Sequence, residues 1–249
     1  NPDVTIDYQA NGSGAGIQDF INDQTAFGGS DAAISGEDKT AADARCTDGE
    51  AINIPMVGGA IAVAYNVEGV DSLTLTPEVI AGIFNSTITR WNDPQIADLN
   101  DGVTLPDAAI AQFHRSDESG TTANFTDYLT ATAPDIWTYE VGKAWTAPGG
   151  QGSKGSDGVA SSLNSTANSI GYVELSFVLD GGLKAASVDN GGGAVEATSA
   201  NAAKAIEAAA VVGEGDVEKE YTIPHGKHVR TYEGEHVLSG DRLTEGPIN

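Results

Sequence analysis

The chain has 249 residues, of which 40% are hydrophobic, and its 36 acidic and 12 basic side chains give a formal net charge of −24. This composition can bury an ordinary core, whereas the strong negative charge makes nucleic acid and anionic membranes poor partners. The absence of an apolar run of about 18 residues argues against a membrane-spanning helix, and the single cysteine, Cys46, excludes an internal disulfide. A locally held anion is still compatible with this charge, because salt screens charges beyond about 8–10 Å.

The first elements predicted from the pattern are a strand, a glycine loop and a helix. Residues 4–8 alternate like a strand, residues 11–16 are rich in glycine, and Ile17, Phe20 and Ile21 follow at helical spacing. This succession is the first strand–loop–helix unit of the chain.

The next elements lead to a well-marked helix. Residues 27–31 read as a short strand end with a turn, and residues 54–65 as a buried strand pair. Residues 77–84 form a predicted helix, with Thr76 as its cap and Pro77 in its first position.

Strands and helices keep alternating through the second half of the chain. The predicted elements are a turn into a short helix at residues 91–94, a strand at 110–114, a helix at 119–130, a polar glycine loop at 149–158, a helix from Val159, a strand at 170–173 and an alanine-rich helix at 200–210. This alternation predicts an α/β fold with mainly parallel sheets. Residues 213–249 differ in character and read as strand fragments or disorder.

A glycine- and serine-rich loop opens a predicted helix at three places, residues 11–16, 116–122 and 152–158. A helix start offers unpaired backbone N–H groups and the positive end of the helix dipole, which together favour an anion. Hydroxyls at Ser13, Ser119 and Thr121 could add hydrogen bonds. The alternative is that Ser13, Ser119 and Ser156 are ordinary helix caps.

Arg115 strengthens the anion interpretation, because it ends a predicted strand four residues before the helix cap. Its guanidinium could bind two oxygens of a tetrahedral anion, with Asp117 holding it in place. The alternative is a structural ion pair.

Asp31 would supply selectivity. A carboxylate repels an anion unless the anion carries a proton, which hydrogen phosphate can donate and fully ionised sulfate cannot. A buried acceptor left unpaired would reject sulfate. The alternative is a turn aspartate after the sequence Gly-Gly-Ser.

No catalytic, metal or cofactor site is predicted. The loop at 149–155 lacks the Walker A spacing, and there is no Gly-x-Ser-x-Gly elbow. A nucleophilic Ser119 would need a base, and His114, beside Arg115 on a strand, should face the other way. His225, His228 and His236 lie in an irregular context that does not indicate a metal. The tryptophans are interpreted as packing residues.

These motifs resemble those of the PstS-type phosphate-binding proteins of ABC phosphate importers. The similar stretches are Gly-Ser-Gly-Ala-Gly around Ser13, Gly-Gly-Ser-Asp ending at Asp31, His-Arg-Ser-Asp-Glu-Ser-Gly-Thr-Thr from His114, residues 83–94, Gly-Ser-Lys-Gly-Ser-Asp-Gly-Val from Gly152 and Ser-Ile-Gly-Tyr-Val-Glu from Ser169. They run in order over about residues 3–215, and they are most similar to actinobacterial members.

The resemblance implies a class II periplasmic-binding-protein fold, in which two α/β domains enclose a ligand cleft. Residues 1–62 plus 178–249 would form domain I, and residues 63–177 domain II. Relative to the family, domain I would lack its first strand and helix, and the end of the chain departs from the usual apolar strands.

The resemblance also implies a binding site and partners. Phosphate would contact Ser13, Asp31, Arg115, Ser119, Gly120 and Thr121, with Gly12, Gly14, Ser30 and Asp117 in support. The expected partners are inorganic phosphate, as hydrogen phosphate, and the permease of an ABC importer. The protein would be a monomer in the periplasm or at the cell surface, with a lipid anchor on a removed N-terminal segment as one option. The alternatives are a phosphatase-like enzyme and an adhesin or scaffold on the same fold.

Overall fold

A computed structural model describes residues 6–47 and 49–208. The predictions for residues 213–249, including the three histidines there, lie outside the described residues. The elements are α1 (Ser13–Ile21), α2 (Gly36–Arg45), β1 (Ile61–Asn66), β2 (Thr74–Leu75), α3 (Pro77–Phe84), α4 (Pro94–Ala97), β3 (Ala111–Arg115), α5 (Gly120–Thr132), β4 (Gln151–Ser153), α6 (Gly155–Ser165), β5 (Ser169–Glu174), α7 (Leu175–Gly181), β6 (Lys184–Ala185), β7 (Ser187–Asp189), β8 (Ala194–Val195) and α8 (Ser199–Ala208).

The main sheet has five strands in the order β4-β3-β5-β1-β6. β3 pairs in parallel with β4 and β5, whereas β1 pairs antiparallel with β5 and β6. All strands except β1 therefore run in the same direction, which agrees with the predicted α/β fold. A smaller sheet joins β2 and β7 in parallel and adds β8 antiparallel.

The sheet separates two hydrophobic cores because alternate residues of its strands face opposite sides. In β1, Val63 and Tyr65 belong to one core, which includes Phe84 of α3 and Phe125 of α5. Ala62 and Ala64 belong to the other core, which α6 and α7 cover with Val159, Leu163, Leu175 and Val178. This three-layer arrangement fixes the carboxyl ends of β3 and β5, where the candidate site lies.

The helix boundaries expected at Thr76 and Ser119 are confirmed. Thr76 accepts a hydrogen bond from the N–H of Val79, and Pro77 is the first residue of α3. Ser119 caps α5, whose Phe125 and Leu129 are buried as their spacing predicted. Trp91 and Trp137 are also buried in the core, which confirms them as packing residues.

Two predicted strands differ from the structure. Ile6 to Tyr8 form no strand, and of the stretch 54–65 only the part from Ile61 does; Ile54 is 57% and Met56 81% exposed. An isolated extended segment leaves its backbone groups unpaired. The main sheet ends at the edge strands β4 and β6, and neither segment pairs with them. Residues 27–31 likewise form an exposed irregular loop.

Across the described ranges, no helix has both the length and the apolar character that a membrane crossing requires.

Candidate functional site

The three predicted helix starts meet in the structure. α1 begins at Ser13, α5 at Gly120 and α6 at Gly155. The N–H of Gly14 donates to the carbonyl oxygen of Glu118 at 3.0 Å, and the N–H of Gly155 donates to Oδ1 of Asp117 at 3.1 Å. The loop between β3 and α5 is thus held between the starts of the two other helices. Three positive dipole ends converge there, which favours an anion.

Arg115 lies at the centre of this convergence, with only 7% of its side chain exposed. Its Nε and Nη2 donate to the two oxygens of Asp117 at 2.8 and 2.6 Å. Its Nη1 donates to Ser156 Oγ at 2.9 Å and to Thr121 Oγ1 at 3.4 Å. The predicted pairing of Asp117 with Arg115 is present, and one edge of the guanidinium faces the hydroxyls of α5 and α6.

This ion pair is stable in its charged form. Burial raises the pKa of Asp117, but the hydrogen bonds from Arg115 and from the N–H of Gly155 outweigh it, so that this pKa lies below its usual value. Burial also lowers the pKa of Arg115, but the hydrogen bonds to Asp117 and the nearby negative charges together outweigh burial, so that this pKa lies above its usual value. Both side chains therefore stay ionised at neutral pH, as a buried bidentate pair should.

The backbone of Arg115 is fixed by Tyr172 of β5. The N–H of Arg115 donates to the phenolic oxygen of Tyr172 at 3.1 Å, and that oxygen lies 2.7 Å from Thr122 Oγ1. Tyr172 is fully buried, and burial raises the pKa of its phenol to about 12. The neutral phenol thus ties the end of β3 to the first turn of α5.

Replacing Tyr172 by phenylalanine is expected to lower the free energy of unfolding by about 1–3 kcal/mol, because it leaves the N–H of Arg115 and the hydroxyl of Thr122 without their shared partner. Thermal or urea unfolding measures this. Tyr128→Phe is the matched control: its hydroxyl bonds Asn190 at an exposed position, so we expect a smaller loss. Equal losses in the two variants would contradict the role given to Tyr172.

Ser13, Asp31 and Thr121 come together although they are distant in the sequence. The N–H of Asp31 donates to Ser13 Oγ at 3.2 Å, and Thr121 Oγ1 lies 3.3 Å from Asp31 Oδ2. Nδ2 of Asn124 fixes this contact by donating to the carbonyl oxygen of Asp31 at 2.9 Å. Asp31 is exposed, however, and not the buried acceptor that the selectivity argument assumed, because the loop around it lies at the surface.

Gly120 lies between these groups, where there is no room for a side chain. A Cβ added there would lie 2.5 Å from Ser13 Oγ, 2.8 Å from Asp31 Cβ and 2.9 Å from the N of Ala32. Only glycine lets the start of α5 approach the start of α1 this closely.

The remaining predicted residues have structural contacts. Ser119 is buried and its hydroxyl accepts from the N–H of Thr122 at 3.3 Å, so in this structure it is the helix cap that the alternative reading described. Gly12 has a φ of 92° beside Asp117, and Gly14 bonds Glu118. The hydroxyl of Ser30 bonds Ala32 within an exposed turn.

Residues outside the predicted site also contact it. Thr121 Oγ1 donates to Glu174 Oε1 at 2.5 Å, Ser156 accepts from Arg115, and Asn124 holds Asp31. Ser156 was interpreted only as a cap, although its loop was singled out. Glu174 ends the buried strand β5, and an acidic residue at the carboxyl end of such a strand was the signal that could have identified it.

His114 lies away from the hydroxyls of α5. Its ring stacks on Trp145 with centroids 4.8 Å apart, and its Nδ1 lies 2.9 Å from the carbonyl oxygen of Arg115. Burial lowers its pKa.

The candidate site as a whole combines one guanidinium, several hydroxyls and helix N–H groups with acceptors at Asp31 and Glu174. This combination suits an oxyanion that carries a proton.

Comparison with known proteins identifies relatives that are named phosphate-binding proteins. Phosphate-binding protein PstS 3 of Mycobacterium leprae is 43% identical over 219 residues, 86% of this chain and 58% of the relative. Phosphate-binding protein PstS of Pasteurella multocida is 38% identical over 76% of this chain and 54% of the relative. The chain thus spans somewhat more than half the length of these relatives.

The solved structures that are similar to this chain are also of phosphate-binding proteins. A structure from Clostridium perfringens, described as a phosphate ABC transporter substrate-binding protein with bound phosphate, matches with a TM-score of 0.60 and 27% identity over 82% of this chain and 70% of that one. A high-affinity periplasmic phosphate-binding protein, PfluDING, bound with phosphate, matches with a TM-score of 0.66 and 25% identity over 82% and 61%.

These neighbours confirm the predicted periplasmic-binding-protein fold, and the relatives confirm the resemblance to PstS-type proteins. A family model described as a PBP superfamily domain matches residues 1–233, which is most of the sequence. The chain therefore belongs to the PBP superfamily.

Proposed function

We propose that the protein binds inorganic phosphate, as hydrogen phosphate, and delivers it to an ABC importer outside the cytoplasm. The observation that carries the proposal is the meeting of Arg115, Thr121, Ser13 and Asp31 at three convergent helix starts. The guanidinium and the helix N–H groups attract the anion, and Asp31 accepts its proton. Gly120 lets the two halves of the site close together, and the ion pair with Asp117 orients Arg115.

The transport role is supported by relatives that are named phosphate-binding proteins and by a neighbour described as an ABC transporter substrate-binding protein. A periplasmic neighbour supports an extracytoplasmic location. We infer that the protein is not an enzyme, since the hydroxyl of Ser119 is used as a helix cap and His114 is stacked on Trp145. The monomeric state and the lipid anchor stay predictions.

We propose that residues 63–177 form domain II and that residues 1–62 plus 178–249 form domain I. In support, most of the two buried cores comes from residues 63–177, while α1 and α2 contact each other. The short strands β6 and β7 pair with β1 and β2 and bring the returning chain alongside domain II. The site lies between Ser13 and Asp31 of domain I and Arg115 and Thr121 of domain II.

The test of the proposed function is calorimetry with phosphate and with sulfate. We expect the wild type to prefer phosphate by at least about tenfold, because the carboxylate of Asp31 accepts the proton of hydrogen phosphate but repels sulfate, which has no proton to donate. In Asp31→Asn the preference should fall, since the amide can donate to either anion. Asp135→Asn, an exposed aspartate after α5, should keep the wild-type preference.

The alternatives give different outcomes. Sulfate that competes equally in the wild type would remove the role of Asp31. Phosphoester hydrolysis that disappears in Ser119→Ala would favour the enzyme, and a chain that binds no phosphate would favour the adhesin or scaffold.

A further inference from the structure

Two carboxylates reach the same hydroxyl at the candidate site. Thr121 Oγ1 lies 2.5 Å from Glu174 Oε1 and 3.3 Å from Asp31 Oδ2. A hydroxyl has a single proton to donate. The shorter distance indicates that Thr121 donates its proton to Glu174, which leaves only lone pairs of the threonine oxygen for a ligand.

The fold holds Glu174 in this position. It is the last residue of β5, opposite Ile61 of β1, and it precedes α7 without a side-chain hydrogen bond to that helix. Its Oε2 is buried and accepts no hydrogen bond from the described residues. A buried charged oxygen without a donor is costly, so neutralising this carboxylate would relieve a penalty.

The surrounding charges make neutralisation more favourable once an anion arrives. Arg115 of β3 donates to Thr121 Oγ1, the same hydroxyl that contacts Glu174, and Asp117 of the following loop already accepts two other hydrogen bonds of this guanidinium. Asp31 adds a further carboxylate, whereas the β1 neighbour, Ile61, has no charge. A phosphate dianion therefore meets two carboxylates beside one guanidinium that is already paired, and such a field favours a protonated carboxyl.

We propose that phosphate binding protonates Glu174 and reverses its hydrogen bond with Thr121. The neutral carboxylic acid then donates to Thr121 Oγ1, and the threonine hydroxyl is free to donate to a phosphate oxygen. The proton comes from solvent when hydrogen phosphate binds, or from dihydrogen phosphate, which leaves hydrogen phosphate in the site. In both cases the remaining phosphate proton is donated to Asp31.

This makes Glu174 a specificity-determining residue that couples binding to proton uptake, an inference that rests on the proposed function. Its test is calorimetry of the full 249-residue chain with phosphate, in mildly alkaline buffers of different ionisation enthalpy. Free phosphate is mainly hydrogen phosphate there, so we expect an uptake of about one proton per phosphate and an affinity that falls about tenfold per pH unit.

Glu174→Gln mimics the neutral acid, because its amide can donate to Thr121 Oγ1 without taking up a proton. We expect proton uptake near zero in this variant, a flattened pH dependence and binding in alkaline buffer at least as tight as in the wild type. Glu68→Gln removes an exposed carboxylate in the turn after β1 and should keep the wild-type uptake.

The failures of the two proposals are distinguishable. A wild type that binds phosphate without proton uptake, or a Glu174→Gln variant that still takes up one proton, overturns the role of Glu174 and leaves phosphate binding intact. A wild type that gives neither binding heat nor a shift in melting temperature with phosphate overturns the proposed function, and the role of Glu174 with it. If Glu174→Gln does not fold, Glu174→Asp replaces it, since the shorter side chain should weaken the contact with Thr121 and reduce proton uptake, and a wild type without uptake still overturns the role of Glu174.

Discussion

Replacing Arg115 by alanine is expected to weaken phosphate binding by at least about 2 kcal/mol, roughly thirtyfold. The side chain is buried, and its Nη1 contacts Ser156 and Thr121, the hydroxyls at the starts of α6 and α5. Its removal deletes the cation of the site. It also leaves the carboxylate of Asp117 without the partner that keeps its pKa low, so that an uncompensated negative charge faces the ligand.

Calorimetric titration with phosphate measures the effect, and Arg90→Ala is the matched control. Arg90 also pairs with an aspartate, Asp107, but both side chains are more than half exposed, and surface pairs contribute about 0–1 kcal/mol. We expect phosphate affinity in Arg90→Ala to equal that of the wild type. Arg115→Lys keeps the positive charge but loses the bidentate hydrogen bond to Asp117. Its phosphate affinity should therefore lie between those of Arg115→Ala and Arg90→Ala. A near-neutral Arg115→Ala would exclude Arg115 from the site.

Residues of the candidate site could be singled out in the sequence because each has a recognisable local setting. Ser119 and Thr76 precede helices and act as caps, and capping depends on residues three positions apart. Arg115 and Asp117 are two residues apart, so their pairing needed no knowledge of the fold. The loops at residues 11–16 and 152–158 were recognised as helix openings, but the helices were expected from Ile17 and Val159, whereas α1 and α6 begin within the loops, at Ser13 and Gly155.

What escaped prediction depends on contacts between distant parts of the chain. The hydrogen bond from Thr121 to Glu174 joins the first turn of α5, which follows β3, to the end of β5, and these become neighbours only through the parallel pairing of β3 and β5. The exposure of Asp31 could not be inferred, because the depth of a loop is set by what packs around it. The alternation at residues 4–8 suggested a strand, but a strand needs a partner at a sheet edge, which the sequence pattern does not specify, and residues 6–8 form none.

Replacing Gly120 by alanine is expected to weaken phosphate binding by at least about tenfold through steric contact alone. The added Cβ would lie 2.5 Å from Ser13 Oγ and 2.9 Å from the backbone N of Ala32, and contacts under 3.0 Å force one side to move. Because a backbone atom is among them, the start of α5 must separate from Ser13 and Asp31. The separation stretches the contact between Asp31 and Thr121 and opens the space in which the anion is proposed to bind.

The helix itself should tolerate this change, so the test separates a loss of phosphate binding from a loss of α5. Gly120 is the first residue of α5 and its φ is not in the left-handed region, where a side chain would be strained. Alanine is a better helix former than glycine by up to about 1 kcal/mol, which offsets part of the cost of separating α5 from Ser13 and Asp31, so the melting temperature without ligand should fall only moderately. Gly142→Ala is the matched control, because a Cβ there meets nothing within 4 Å and phosphate affinity should be unchanged. Wild-type affinity in Gly120→Ala would show that the start of α5 need not approach α1 for phosphate to bind, and the proposed closure of the site around the anion would then be wrong.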